Sequence, residues 1–276
     1  MMQPFTLSAA PGKAPGTGKS PGGEKMPVRK IHRLCFSDNA DLCAKGLLDL
    51  ARRLGTDSVT NELPTDYAEK RAELAEKGME PRLLDLAASE NAVHRELAIA
   101  ALGAWRGDKA RAAVLKATED NALMVRQTAV GALESWPDDE EAYEVLLTAI
   151  EDGKWAIRWH AARGLRSFSG ADAEAALLEA LLDPNANVRQ MAATSLQERD
   201  AATILPMLRD LFDHPAPHLF DALFELFGEI GTAEDGKTLE KVGSFFNFSQ
   251  PGHVRRGARG AAKKIKARLA GKPVAN

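Results

Sequence analysis

The sequence predicts an all-α fold, an α-solenoid of stacked antiparallel helix pairs behind a disordered N-terminal arm, and three observations lead there. A short segment recurs: DNALMVRQTAVGAL from Asp120, DGKWAIRWHAARGL from Asp152, DPNANVRQMAATSL from Asp183, and a softer copy, SENAVHRELAIAAL, from Ser89. Its arginines, Arg95, Arg126, Arg158 and Arg189, are 31, 32 and 31 residues apart. Between the copies lie apolar residues at three- and four-residue intervals, and no stretch keeps a strand period for long. A helical hairpin of this size cannot bury its apolar face alone, so repetition at this period means stacking.

The elements follow in order. Residues 1–30 are rich in Pro, Gly, Lys and Ser with almost nothing to bury, as expected of a disordered arm. Residues 31–80 read as a degenerate helical cap. Its amphipathic stretches, 39–55 and 65–78, have Asn or Thr near their starts and Gly at their ends. The repeat array runs over 81–272, with PRLLDLAAS from Pro81 as its first outer helix and 140–150, 173–182 and 202–212 as later ones. At Phe220 the frame persists while the arginine is lost, and LFDALFELF (219–227) reads as buried core. The last copy recovers Val254-Arg255 after 35 residues, the extra length falling in a loop at 244–252.

These residues resemble the HEAT-repeat superfamily, in the short form found in bilin-lyase-like proteins. The resemblance implies that the Val-Arg helix is the second of each pair and lines the concave side. It also implies that the acid six residues earlier helps cap that helix and builds a ladder with the arginines between neighbouring repeats. Asp120/Arg126, Asp152/Arg158 and Asp183/Arg189 have that spacing, and an aspartate at a helix start meets free N–H groups and the positive dipole end.

Composition excludes several classes. A chain of 276 residues with 45% hydrophobic content can bury a substantial core, and no apolar run approaches the roughly 18–20 residues of a membrane span. The start, MMQPFTLSAAPGK, lacks a basic segment followed by an apolar one, and two cysteines cannot form a disulfide framework. A reducing cytoplasm is therefore expected. KAPGTGKS (13–20) imitates a phosphate-binding loop, but Lys13 stands where that loop needs glycine, and Pro-Gly-Gly follows instead of a helix. His32, Cys35 and Cys43 fall short of the four ligands of a structural zinc site and read as inert. The resemblance also admits iron-binding hydroxylases, which carry repeated His-Glu pairs; no histidine here is followed by glutamate. No cofactor, metal site or catalytic set is expected, and acidic pairs such as Asp138/Asp139 read as helix-start residues.

The tryptophans divide into two groups. Trp105 and Trp136 both lie ten residues after a repeat arginine, where the next copy has Phe168, and read as inter-repeat core. Trp155 and Trp159 occur in one copy only. At the position of Trp159 the other copies have Glu96, Gln127 and Gln190, which predicts exposure. Trp155, Trp159 and Arg163 form a row on one helix, with His160 and Arg166 close by. Aromatic and arginine side chains on a groove-lining helix suit a protein hot spot, because they bury large area with few rotamers to freeze.

Charge is segregated. Lys and Arg against Asp and Glu give +4 over residues 1–30, +1 over 31–56, −16 over 57–251 and +8 over 252–276. The sequence thus points to a non-catalytic scaffold holding a protein or peptide in its concave groove, with head-to-tail self-association between basic end and acidic middle as a further option. A nucleic-acid role, by analogy with DNA glycosylases built from related repeats, is disfavoured because the acidic body repels a duplex. A bilin-lyase-like accessory role rests on the resemblance alone.

Overall fold

The computed structural model describes residues 27–55, 63–213, 219–244 and 250–271. Most of the expected arm, with KAPGTGKS, lies outside them, as do His214, His218 and residues 245–249 of the expected loop. Fifteen α-helices and no strand are present among the described residues.

Twelve of these helices form six consecutive pairs: α4 (Met79–Ala87) with α5 (Ala92–Trp105), α6 (Asp108–Ala117) with α7 (Leu123–Ala132), α8 (Glu140–Ala149) with α9 (Trp155–Gly164), α10 (Ala171–Ala180) with α11 (Ala186–Gln197), α12 (Ala201–Asp210) with α13 (Asp221–Ile230), and α14 (Ala233–Val242) with α15 (Gly252–Leu269). The second helices pack closely on one another from α5 to α15, whereas neighbouring first helices barely touch. A stack whose one row is more tightly spaced bends toward that row, so the Val-Arg helices form the concave side.

Two findings revise the N-terminal reading. Helix α1 (Val28–Cys35) begins inside the stretch assigned to the arm, burying Val28, Ile31 and Cys35. Helix α2 (Ala40–Leu54) packs against α5 as well as α1, so α1 and α2 form a further pair whose second helix joins the inner row. Among the described helices only α3 (Tyr67–Glu76) stands outside the alternation; it is a short helix with one buried residue, Leu74. Asn39 caps α2 by accepting the Leu42 N–H at 3.0 Å. His32, Cys35 and Cys43 are each engaged locally. His32 Nε2 lies 3.1 Å from the Lys77 carbonyl, and the Cys43 thiol donates to the Cys35 carbonyl. Burial pushes the Cys35 thiol up to about 12, which leaves it protonated and unreactive.

The core is a continuous seam of leucine and alanine between the rows. Trp105 is 1% exposed and Phe168 6%, and Trp136 packs half-buried against the same seam. The expectation for 219–227 is met by Phe220, Leu223, Phe224 and Phe227, all buried. Phe212 from the preceding turn stacks on Phe227 with ring centroids 5.0 Å apart.

Candidate binding face

Each repeat arginine ties down its own loop, and three of the four also reach forward. Its Nη1 donates to the carbonyl six residues earlier, at 3.0 Å for Arg95 to Ser89, 2.7 Å for Arg126 to Asp120, 2.8 Å for Arg158 to Asp152 and 2.8 Å for Arg189 to Asp183. This ties down the loop that opens its own helix. In Arg95, Arg158 and Arg189 the rest of the guanidinium reaches forward to the next repeat as a two-pronged fork. Arg95 grips Asp120 at 2.8 and 2.8 Å, and Arg158 grips Asp183 at 2.6 and 2.9 Å.

The rungs therefore join an arginine to the aspartate of the following copy. Those aspartates also fold the loop, since Asp120, Asp152 and Asp183 accept the N–H two residues on, at 2.8, 2.6 and 2.7 Å. Hydrogen bonding from Arg95 holds the Asp120 carboxyl below the usual carboxylate range.

Two departures from regularity were not legible in the motif. Arg126 and Asp152 occupy rung positions, yet among the described residues Arg126 bonds only the carbonyls of Asp120 and Asn121 and meets no carboxylate. Arg189 finds a substitute where the motif is eroded: Asp221, in the first turn of α13, accepts at 2.7 and 2.9 Å. Ion pairs outside the motif link the outer row as well. Arg111 binds Asp139 and Glu141, and Arg209 binds Asp235. Part of the acidic charge of residues 57–251 is thus neutralised across repeats.

The site residues assigned to α9 share the inner row. Trp155, in its first turn, is 42% exposed. Trp159 is half-buried against the core rather than exposed, and the Arg163 guanidinium lies 5.7 Å from its ring. The polar series at this position misleads because Glu96, its counterpart on α5, is itself buried. Arg163 also donates to the Gly131 carbonyl at 3.1 Å and to Glu134 at 2.9 Å, so it is a bridge between repeats as well as a surface cation. His160 meets the Trp159 ring edge-on with centroids 4.9 Å apart. It sits so close over α7 that a Cβ on Gly131 would fall 2.6 Å from its Nδ1. Burial, reinforced by the Arg163 charge, drives the His160 pKa down to about 4, leaving the ring neutral at ordinary pH.

With two helix rows, a ladder of arginines and a groove lined by the second helices in place, comparison with known proteins is decisive on one point. A family model described as HEAT repeats matches residues 80–157 and 143–226. The chain belongs to the HEAT-repeat family. No curated protein matches it. Among solved structures, the HEAT-repeat chain is similar to YibA of Escherichia coli at 18% identity and a TM-score of 0.51, with 87% of this chain and 81% of that one covered. An engineered protein is similar at 16% identity and a TM-score of 0.46, covering 87% and 98%. A designed armadillo repeat protein solved with the peptide (KR)4 gives 15% identity and a TM-score of 0.45, covering 87% and 100%. At such identities the likeness is one of fold. No helix among the described residues is long and apolar enough to cross a membrane.

Proposed function

We propose that this HEAT-repeat chain is a non-catalytic interaction scaffold that holds a protein or peptide partner against the concave face, centred on Trp155, Trp159 and Arg163. The observation that carries this reading is Trp155, a large aromatic left 42% exposed on the groove-lining helix of one repeat alone. Beside it, Trp159 and Arg163 are already held in place by core packing and by Glu134, so little side-chain freedom is lost on binding. His160 contributes as a neutral wall. A cytoplasmic setting suits the two buried, unpaired thiols.

A duplex is a poor occupant, because Arg95, Arg158, Arg163 and Arg189 are each committed to carboxylates. The experiment is site-specific photo-crosslinking in cells, with the probe at position 155 and, as control, at the exposed Ala112 of the outer row. A discrete protein adduct at 155 alone, and loss of partner capture by Trp155→Ala with an unchanged Tm, is the expected result. A nucleic-acid adduct, or equal adducts at both positions, would overturn it.

A second reading, head-to-tail self-association, is favoured by one further feature. Between α10 and α12 lies a groove of about 710 Å³ whose apolar wall includes Leu182, Met207 and Leu211. Its exposed charges, Glu151, Glu179 and Asp210, form no ion pair among the described residues. Helix α15 presents exposed Arg256, Lys263 and Lys266, with Leu269 55% exposed near its end, and this complements an acid-rimmed apolar groove on a second copy.

A further inference from the structure

Beside the tryptophan row the concave face contains a pocket of about 230 Å³. Its floor exists because α5 and α7 carry small residues there, among them Ala100, Gly103, Thr128 and Gly131, while His160 and Arg163 on α9 form one wall. Arg106 lines the same pocket, and its backbone is the unusual element.

Arg106 ends α5 with φ 58° and ψ 168°, a conformation that strains any residue with a Cβ, and it is the only such residue among those described. The turn is held from outside by α3. Tyr67 Oη donates to the Trp105 carbonyl at 2.5 Å, and Arg71 Nη2 donates to the Arg106 carbonyl at 3.3 Å while its guanidinium stacks 5.3 Å from the Trp105 ring. The one helix outside the repeat pattern thus clamps the one strained turn.

The pocket wall also carries unpartnered polar atoms. Buried side-chain polar atoms nearly always find partners. Yet Arg106 Nε, His160 Nδ1 and Arg163 Nε are all buried without one, and all three belong to residues of this pocket. Arg163 is compensated by Glu134, but the Arg106 side chain has no hydrogen bond or ion pair among the described residues. With His160 neutral, Arg106, Arg163 and Glu134 leave a single positive charge in a small, partly apolar recess. Arg106 is itself only half-buried, but its Nε is buried with no acceptor, and leaving such a donor unpaired costs free energy that a ligand oxygen would recover.

We propose that this pocket binds a monocarboxylate, gripped by the guanidinium of Arg106 with Arg163 alongside. One uncompensated charge matches one carboxylate better than a doubly charged phosphate, and the planar guanidinium presents the paired donors that a carboxylate accepts. Strain at Arg106 is then the cost of aiming it into the recess. The site requires no protein partner, although it shares Arg163 with the tryptophan row.

The test is thermal unfolding with butyrate, N-acetyl-glutamate amide or inorganic phosphate against sodium chloride at matched ionic strength. For wild type, carboxylate at tenfold over its Kd is expected to raise Tm by about 3 °C. Arg106→Gly is expected to abolish that response while raising the ligand-free Tm, because glycine adopts this backbone without strain. A response confined to N-acetyl-glutamate amide names an acidic side chain of a bound protein as the source, and one that includes butyrate names a free acid. No carboxylate response in wild type, an equal response to phosphate, or a response retained by Arg106→Gly would overturn the proposal. Trp155→Ala alters no pocket residue and keeps the response, so this site and the scaffold reading fail independently.

Discussion

Arg126 and Arg158 hold the same place in the repeated motif, and the structure predicts that removing them has unequal consequences. Arg158 makes two short bonds to Asp183 and one to the Asp152 carbonyl, and the Asp183 side chain is only 7% exposed. Arg158→Ala leaves that carboxylate buried with the Asn185 N–H as its remaining donor, 2.7 Å away. Breaking a buried pair from one side costs about 3–5 kcal/mol, most of it the stranded charge. Arg126→Ala strands no acid. It frees the carbonyls of Asp120 and Asn121, of which Asn121 is exposed and readily hydrated, at about 1 kcal/mol. Urea unfolding should therefore place the Arg158→Ala midpoint about 1 M or more below that of Arg126→Ala, for a slope of about 2 kcal/mol per M. A double-mutant cycle of Arg158→Ala with Asp183→Ala should show coupling of about 2 kcal/mol. Equal midpoints for the two arginine variants, or additive behaviour in the cycle, would refute the reasoning.

Two other outcomes are expected. His160 has a folded pKa lowered from 6.5 to about 4, so below pH 6.5 the unfolded chain binds a proton that the folded chain refuses. Its contribution is full above pH 6.5 and lost as pH falls toward about 4, by at most about 3 kcal/mol, and His160→Gln should flatten the urea midpoint across that range. An unchanged slope in the variant would sink this account. For self-association, sedimentation velocity at low salt should show assembly that dissolves above about 0.3 M salt and disappears in Glu179→Lys/Asp210→Lys. A wild type that stays monomeric at high concentration and low salt excludes it.

The repeated sentence of the sequence determined the stacking of helix pairs, because the period of the apolar residues leaves each hairpin with a face that only a neighbour can cover. It also marked the row Trp155, Trp159 and Arg163, since helical spacing alone puts these residues on one side of α9. Helices α2 and α3 were legible as the amphipathic stretches 39–55 and 65–78, but α1 and the docking of α2 against α5 were beyond it. The contact between α2 and α5 spans residues that share no motif, and α3 belongs to no repeat. The tertiary structure alone decided which partner each charge takes. Arg111 meets Asp139 28 residues on, Arg189 borrows Asp221 from an eroded copy, and Arg126 bonds only carbonyls among the described residues. It likewise decided that Trp159 is half-buried while Trp155 is open, and that Arg106 stands strained beside the groove. Periodicity specifies which side of a helix a residue occupies. Depth, pairing and strain depend on how closely the next helix approaches, which small residues such as Gly131 set one contact at a time.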